Sequence, residues 1–516
     1  MKKVIAIVLL AVLTLGTYVP AVMADGTAPE TFYNAQDCVY VLKEDGTAEI
    51  TGYTGSTKDL TIPSELDGHT VTSIRSRAFY RNSQLNSIAV PETIQKIGYG
   101  CFEWCSNLRT VTFAEGLKSI GNSPFWYCEK LNSVNIPDSL TEVVGEGLFA
   151  GCGKLQKVDI SADHPVLTFV DGVLFNKVDS VLLWYPASRQ GKEYQVPEGT
   201  KRIGCEAFND AKAAKIILPA SVEEIGSSAF SSYSLKTVNI PPKVTSAEGI
   251  FFNCKYLESV NVDEGNEVYA STDGVLFDMT THTLVRYPAA KKDKTYTVPD
   301  GIEAIAVNSF EYAVFSELVL PSSVKAIGSN AFLSCEKLKE LQLPEGLEEL
   351  GSYAFQYCES LAKITLPNSL AKIDSKPFLH CKKLKEIMVS EDNPYLAMMN
   401  GFLVQKEDMA LLSCPPGAKP QKAEVPSGVR RIAAGAFADC ANLQEATFAE
   451  GLEKIDSDAF QGCTKLKRVV LPASLTEISR SAFELSRLKG TVFVVVAGSY
   501  AEEFCTANGL KTQYTE

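Results

Sequence analysis

The sequence has few histidines and an excess of acidic residues. Its 516 residues include four histidines, and the formal net charge at pH 7 is −13. Nucleic acids and anionic membranes are bound mainly through lysine and arginine, so this charge argues against both classes of partner. His69, His164, His282 and His380 show no metal-ligand spacing and no nucleophile motif, and we interpret them as solvated turn residues. The sequence therefore predicts no catalytic centre, no metal and no cofactor.

After residue 24 the sequence lacks an apolar run of the roughly 20 residues that a membrane span needs. The start reads Met1-Lys2-Lys3, then an apolar stretch from Val4 to Leu15, then Val22-Met23-Ala24. Such an order is typical of a secretory signal peptide, and an uncleaved anchor fits less well because the apolar run is short. We expect residues 1–24 to be removed and the mature chain to be secreted or attached to the cell surface, without a membrane span.

The apolar residues from Leu343 to Leu366 follow neither the period of one strand nor that of one helix. The pattern restarts after about 23 residues and recurs in about 14 units, each with a phenylalanine such as Phe355 or Phe252 at one corner. A unit this short cannot enclose a core alone, whereas stacked units bury a continuous one. The sequence predicts an α/β solenoid: a curved, right-handed coil with a parallel sheet on its concave face and short helices or 3₁₀ turns, such as Ser352 to Cys358, on its convex face.

The order of motifs predicts the domain organisation. Residues 25–59 contain two alternating runs around an Asp-Gly turn, which predicts a β-hairpin cap. The solenoid is expected over residues 60–490, and a strand followed by a helix from about Tyr500 to Asn508 is expected to close the end within 491–516. Interruptions that each carry a turn and paired apolar runs predict three β-hairpin inserts, near residues 161–195, 263–297 and 390–424.

The repeated unit resembles the bacterial leucine-rich repeats of the BspA type, whose form is Pro-x-x-Leu-x-x-Ile-Gly-x-x-Ala-Phe-x-x-Cys-x-x-Leu-x-x-Val. The resemblance covers nearly the whole mature chain, including hairpins such as Asp273-Gly274-Val275-Leu276-Phe277 and the terminal Gly498-Ser499-Tyr500. It implies a surface-exposed or secreted protein of a host-associated microbe, and some members of the family are implicated in adhesion or coaggregation. It implies no particular binding residue.

Nine of the 14 cysteines occupy one position of the repeat. Equivalent residues on successive coils point the same way and the coils spread apart on the outer side, so disulfide geometry between them is unfavourable. A free cysteine also packs well as a small buried hydrophobe. We expect a reduced structural thiol ladder, with some disulfides as the alternative in an exported protein. The ladder comprises Cys105, Cys128, Cys152, Cys254, Cys335, Cys358, Cys381, Cys440 and Cys463.

The outward positions of the predicted strands are the candidate binding surface. They flank a buried valine or isoleucine in each coil and form two adjacent rows on the concave face. A broad, polar, shallow face suits a large ligand, because small molecules bind in concave, mostly apolar pockets. The alternative is that these side chains only keep the strands soluble. The candidates are Thr110, Thr112, Asn135, Lys157, Asp159, Thr237, Asn239, Asn261, Glu317, Glu340, Gln342, Lys363, Glu386, Glu445 and Arg468.

These patterns together predict a monomeric, non-enzymatic, protein-binding scaffold that adheres to host or neighbouring-cell surface proteins. The alternatives are a protein that captures polysaccharide and a structural envelope protein without a specific ligand, so the expected partner is an extracellular protein or glycan. Aligned aromatic side chains on the sheet would favour a glycan, and a mixed charged and apolar patch would favour a protein. The basic clusters Lys291-Lys292-Lys294 and Lys382-Lys383-Lys385 are flanked by acids and are interpreted as solubility features.

Overall fold

The computed structural model describes residues 32, 33, 37–143, 146–484, 488 and 490–515. The boundary between two compact units falls between Val166 and Leu167. The predicted signal peptide, residues 1–24, lies outside the described residues. In the part of the chain that is described, no helix combines the length and the apolar character that a bilayer span requires.

In the first unit, each coil contributes a strand of three or four residues to one parallel sheet, as the sequence predicts. Alternate side chains point inward: in Ser133–Ile136, Val134 and Ile136 are buried, whereas Ser133 and Asn135 are partly exposed. These longer strands are Asp59–Thr61, Ser87–Val90, Thr110–Phe113, Ser133–Ile136 and Lys157–Ile160.

Each coil of the first unit also contributes a second, shorter strand, which sequence periodicity does not predict because two residues are too few to show alternation. The predicted hairpin of Cys38–Leu42 and Ala48–Tyr53 belongs to this sheet, since Ala48–Tyr53 pairs in parallel with His69–Ile74. The other strands of the sheet are Phe32–Tyr33, Glu65–Leu66, Lys96–Ile97, Ser119–Ile120 and Glu142–Val143.

In the second unit the longer strands form four parallel sheets of four, two, three and five strands. The final strand, Lys511–Tyr514, is not predicted from sequence and continues the ladder beyond the predicted strand at Val492–Val495. The four sheets are Glu193–Gln195, Lys215–Ile217, Thr237–Ile240 and Ser259–Val262; Thr295–Thr297 and Glu317–Val319; Glu340–Gln342, Lys363–Leu366 and Glu386–Val389; and Lys422–Val425, Glu445–Phe448, Arg468–Val470, Val492–Val495 and Lys511–Tyr514.

The strands of all three predicted hairpin inserts lie in the second unit, and each insert has three antiparallel strands. The third strand then pairs in parallel with the short strand of the next coil, as Thr283–Arg286 does with Ala304–Ile305. An insert therefore starts a new short-strand sheet. These sheets are Leu167–Val170, Val173–Asn176, Val181–Trp184, Arg202–Ile203 and Glu224–Ile225; Tyr269–Thr272, Val275–Asp278, Thr283–Arg286, Ala304–Ile305, Ala326–Ile327, Glu349–Leu350 and Lys372–Ile373; and Leu396–Met399, Phe402–Gln405, Ala410–Ser413, Arg431–Ile432, Lys454–Ile455 and Glu477–Ile478.

The segments expected to be short helices are successive tight turns, so that part of the prediction is wrong. Tyr353 and Tyr357 have φ angles of 58° and 59°, and left-handed residues at this spacing stop an α-helix from propagating. The backbone is paired between coils instead, as when the Phe332 N–H donates to the Ala354 carbonyl over 2.8 Å.

Helix is confined to two short segments of the described residues. The α-helix Tyr500–Ala507 is one residue shorter than predicted, and the 3₁₀ helix Pro416–Ala418 follows the third insert. At the start of the α-helix the Ser499 hydroxyl accepts from the Glu502 N–H, and the Glu502 carboxylate accepts from the Gly498 N–H over 2.7 Å. These two hydrogen bonds satisfy backbone N–H groups at the start of the helix and explain why it begins there.

Phenylalanines of successive coils stack in the core of each unit. The rings of Phe332 and Phe355 lie 4.9 Å apart with planes inclined by 1°. In the coil that ends at Cys254 the stacked residue is Phe251, whose ring lies 5.7 Å from that of Phe230, and the prediction of Phe252 is wrong by one position. Two adjacent phenylalanines fit the repeat equally well, so the pattern alone could not choose between them.

The nine ladder thiols are buried, and each donates a hydrogen bond to the backbone of an earlier coil. Eight bond to a phenylalanine carbonyl over 2.8 to 3.2 Å, and Cys440 lies 3.7 Å from the Cys414 carbonyl. Cysteine supplies both apolar volume and a donor here. Burial raises the pKa of the Cys105 thiol to about 12, so almost no thiolate forms at neutral pH.

We expect these thiols to resist alkylation in the folded protein. At neutral pH the ladder cysteines should react with iodoacetamide at least about 100-fold more slowly than in denaturant, because burial both suppresses the thiolate and blocks access. Mass spectrometry of the native and the denatured, unreduced protein measures this. All 14 cysteines should be modified after denaturation, and a shortfall of two that reduction restores would instead reveal a disulfide. The half-buried Cys205 should react first. In the control variant Cys205→Ala, this early modification should be absent.

Candidate functional site

In the first unit the structure aligns the candidate face residues into two ladders across the longer strands. Ser133 pairs with Thr110 on one side and with Lys157 on the other, while Asn135 pairs with Asp159. Because Val134 pairs with Val111, Thr112 lies one coil before Asn135 in the same register. The parallel register therefore places these side chains in adjacent rows on the outward side of the sheet.

In the second unit the candidates are divided among separate sheets and do not form the continuous rows expected from sequence. Hydrogen-bonded register joins Thr237 with Ser259 and Asn239 with Asn261. The remaining partners are Glu317 with Thr295; Glu340 with Lys363 and Lys363 with Glu386; Gln342 with Thr365; and Glu445 with Arg468. Two of the three breaks fall at inserts, where the chain leaves the coil between one longer strand and the next. The break between Glu317–Val319 and Glu340–Gln342 has no insert.

Several charged side chains of this face are paired with one another. Lys157 with Asp159 at 2.5 Å, Lys363 with Glu386 at 3.8 Å and Arg468 with Glu445 at 3.4 Å form such pairs. Their side chains are at least a quarter exposed, and exposed pairs of this kind contribute about 0 to 1 kcal/mol each. Breaking one of these pairs therefore costs little free energy, so that each side chain can pair with a charge on a binding partner instead.

Two of the candidate asparagines hold neighbouring strands together. The Asn135 amide accepts from the Phe113 N–H and donates to the Phe113 carbonyl, both over 2.7 Å. The Asn239 amide does the same for Leu218, over 2.8 and 3.0 Å. These two side chains are engaged with the scaffold, whereas Asn261, the partner of Asn239 in the ladder, is exposed.

The three-stranded sheet of Glu340–Gln342, Lys363–Leu366 and Glu386–Val389, here called the Glu340 sheet, combines charge with exposed apolar surface. Its row of Glu340, Lys363 and Glu386 runs beside Thr365 and Met388, and the Met388 side chain is 40% exposed. Trp184 and Tyr185 are buried, so neither offers a face on which a sugar ring could stack.

A model of the BspA-type leucine-rich repeat region matches this chain in six copies, over residues 52–177, 187–285, 294–398 and 417–505. The chain belongs to the BspA-type leucine-rich repeat family. The resemblance inferred from the repeat and the parallel-sheet solenoid are both confirmed.

The solved structures that are similar to this BspA-type chain include the following three. A leucine-rich cell surface protein from Faecalibacterium prausnitzii is 21% identical, with 95% of this chain and 100% of that chain covered and a TM-score of 0.29. A leucine-rich repeat protein from Eubacterium ventriosum is 21% identical, with 89% and 96% covered and a TM-score of 0.35. The pneumococcal vaccine antigen PcpA is 20% identical, with 95% and 99% covered and a TM-score of 0.29. No curated protein matches the chain.

The second insert of this BspA-type chain buries an ion pair that the sequence patterns did not single out. The Arg286 and Glu311 side chains are 1% and 0% exposed, and Arg286 Nη1 lies 3.4 Å from Glu311 Oε2. Arg286 Nη1 also donates to the Asn308 carbonyl over 2.5 Å, and the Asn253 N–H donates to Glu311 Oε2 over 3.0 Å. Arg286 Nε and Nη2 and Glu311 Oε1 have no hydrogen-bond partner among the described residues.

Burial raises the pKa of Glu311 to about 7, because the cost of burying the charged carboxylate outweighs its attraction to Arg286.

The other two inserts fill the same place with neutral residues. Trp184 and Ser413 stand where the second insert has Arg286, and Asn209 and Ala438 stand where the next coil has Glu311. Around Ser413 and Ala438 a void of about 10 Å³ remains. An arginine aligned with a tryptophan and a serine was therefore the sequence signal for a buried charge.

His164 and His380 make side-chain contacts within the fold. His164 is fully buried, so its interpretation as a solvated turn residue is wrong; its Nε2 lies 3.1 Å from the Pro137 carbonyl, and its Nδ1 accepts from the Val166 N–H. His380 Nδ1 lies 2.8 Å from Asp439. Across the described ranges, no group of three or more histidine, cysteine, aspartate or glutamate residues is arranged to hold a metal ion.

Replacing Asn239 by alanine should destabilise the protein, because it leaves the Leu218 N–H and carbonyl without their partner. We expect the free energy of unfolding to fall by about 1 to 3 kcal/mol. The matched control is Asn261→Ala in the adjacent strand, expected to change it by less than about 0.5 kcal/mol. Urea unfolding followed by circular dichroism measures both, and equal effects would contradict the structural role of Asn239.

Replacing Glu311 by glutamine should remove one component of the pH dependence of stability. The folded-state pKa is raised to about 7 from an ordinary value of 4.5, so the folded state binds more protons than the unfolded state between these pH values. The free energy of unfolding therefore falls as the pH rises through this window, by an amount on the order of 3 kcal/mol. Urea midpoints measured between about pH 4 and pH 8 test this, with the exposed Glu340→Gln as control. Parallel curves for the parent and Glu311→Gln proteins would refute it.

Proposed function

We propose that this chain is an exported, non-catalytic scaffold that binds proteins on host or neighbouring cells through the Glu340 sheet. The observation that carries the proposal is the mixture of Glu340, Lys363 and Glu386 with the exposed Met388 on one outward face. Protein interfaces are enriched in methionine at their core and carry polar groups at their rim. Export is supported by the basic and apolar start of the chain, and the monomeric state stays a prediction.

The composition of the Glu340 sheet favours a protein over a glycan as its partner. Its three strands read Glu-Leu-Gln, Lys-Ile-Thr-Leu and Glu-Ile-Met-Val, without an aromatic side chain on which a sugar ring could stack. Opposite charges in one row can match a partner's own row and so select it. A face of this kind binds through many weak contacts on a rigid support.

Exchanging the charges of one pair tests the proposal. In the double variant Lys363→Glu with Glu386→Lys the two side chains can still pair with each other, but the charge pattern that faces a partner is reversed. For a protein ligand found by arraying the full chain against extracellular matrix and bacterial surface proteins, we expect binding at least about tenfold weaker, because attraction becomes repulsion. Surface plasmon resonance gives the affinities.

The matched control exchanges an exposed pair beside the short-strand sheet. Glu303 and Lys325 lie 2.7 Å apart, and the double variant Glu303→Lys with Lys325→Glu should bind as the parent protein does. Equal losses in both double variants would show a non-specific charge effect. The proposal would be contradicted if the full chain bound glycans in the array but none of the arrayed proteins.

A further inference from the structure

A cavity of about 540 Å³ opens beside the second insert. One wall is the end of the insert, residues 289–294, here called the insert tail. The other walls come from the preceding coil at Lys255 and Tyr256 and from the following coils at Tyr312 and Lys337. Backbone hydrogen bonds fix both ends of the tail: the Ala290 N–H donates to the Leu257 carbonyl and the Ser316 N–H to the Lys294 carbonyl, each over 2.9 Å. The cavity is therefore built into the fold.

The lining of this cavity is basic although the chain as a whole carries a charge of −13. Its four lysines form no ion pair within the described part of the chain. The one carboxylate in the lining, Asp293, accepts a hydrogen bond from the Tyr287 hydroxyl over 2.8 Å and lies 3.8 Å from Lys291, which is not part of the lining. The lysines of the lining are Lys255, Lys292, Lys294 and Lys337.

Two tyrosines add flat apolar surface between these charges. Tyr256 is 55% exposed. Tyr312 lies deeper, where its hydroxyl donates to the Asn253 side chain over 3.1 Å, and the Lys255 ammonium lies 5.7 Å from the centre of its ring. The small side chains of Ala289, Ala290 and Val314 leave the space in front of the rings open. The cavity thus combines ammonium groups with aromatic faces.

We infer that this cavity binds a segment of an acidic carbohydrate, whose uronate or sulfate groups meet the lysines while a sugar ring lies against Tyr256. Its volume falls within the roughly 300 to 1,000 Å³ typical of ligand pockets. Lysine presents a compact charge on a flexible stem, which suits single carboxylate or sulfate groups spaced along a chain. This site is separate from the Glu340 sheet and does not depend on the function proposed for that sheet.

An acidic peptide fits the cavity less well than a carbohydrate does. An extended peptide binds along a strand edge through its backbone groups. The Ala290 N–H and the Lys294 carbonyl of the insert tail are already bonded within the protein, so the tail offers no such edge at these residues. A sugar chain needs none, because its hydroxyl groups can remain in contact with water at the open side.

This combination of lysines and tyrosines is particular to the second insert. At the third insert Lys383 and Asp439 stand in the places of Tyr256 and Tyr312, and Asp439 is held by His380. The cluster Lys291-Lys292-Lys294, interpreted from sequence as a solubility feature, therefore contributes two of its members to a cavity. The cluster Lys382-Lys383-Lys385 provides a basic control of the same size.

Isothermal titration calorimetry of the full chain tests the inference with three probes: a galacturonate hexamer, a chondroitin sulfate hexamer and a hexaglutamate peptide. We expect one or both carbohydrates to bind, and their relative affinities identify uronate or sulfate as the preferred group. The double variant Lys292→Glu with Lys294→Glu should weaken this binding at least about tenfold, because two attractive charges become repulsive. Tyr256→Ala should weaken it about fivefold through lost stacking.

The control variant, Lys383→Glu with Lys385→Glu, should bind the carbohydrates within about twofold of the parent, since the charge change is equal and neither lysine lines the cavity. The exchange of Lys363 and Glu386 on the Glu340 sheet should have no effect either, which separates this inference from the proposed function. Tighter binding of hexaglutamate than of either carbohydrate would make the cavity a site for acidic peptide. Equal losses in the two lysine double variants, or no binding of any probe, would overturn the inference.

Discussion

Backbone pairing between coils in a fixed register is the constraint on which the rest of this structure depends. Val111 pairs with Val134 in the longer strands, and Ile97 pairs with Ile120 in the short ones. Because each coil must match its neighbour at both places, the same kind of side chain points inward in every coil. The stacked phenylalanines and the ladder thiols are further results of this repetition, and so are the outward rows.

The inserts are where that constraint is relaxed. Between one set of coils and the next, the position at the end of the hairpin is free to differ, and it holds Trp184, Arg286 or Ser413. The same interruption separates neighbouring coils and leaves room for the cavity beside the second insert. The side chains that differ most in chemistry between equivalent positions are therefore concentrated at the inserts, whereas the regular coils form the scaffold.

The repeat made much of the fold predictable, because one pattern read about 14 times identifies buried positions such as Phe355 and Leu361 reliably. Features shorter than the pattern could not be found this way: the two-residue strand Lys96–Ile97 has no period, and the left-handed turn at Tyr357 resembles a helix in composition. The cavity was beyond prediction because Lys255, Lys292 and Lys337 come from three separate segments. Arg286 could have been identified from the sequence, because an alignment of the three inserts shows an arginine where the other two have Trp184 and Ser413.

The thiol ladder places folding in competition with oxidation. Once neighbouring coils have closed, each ladder thiol lies against a backbone carbonyl in the core, where an oxidant has no access. Before closure the thiols are open to disulfide formation, which takes seconds to hours, and a wrong bridge would fix two coils before their register is set. Contacts between adjacent coils join residues close in sequence, and such local contacts form fast. A chain that closes coil by coil can thus shelter each thiol before an oxidant reaches it, and so tolerate many cysteines without using them as crosslinks.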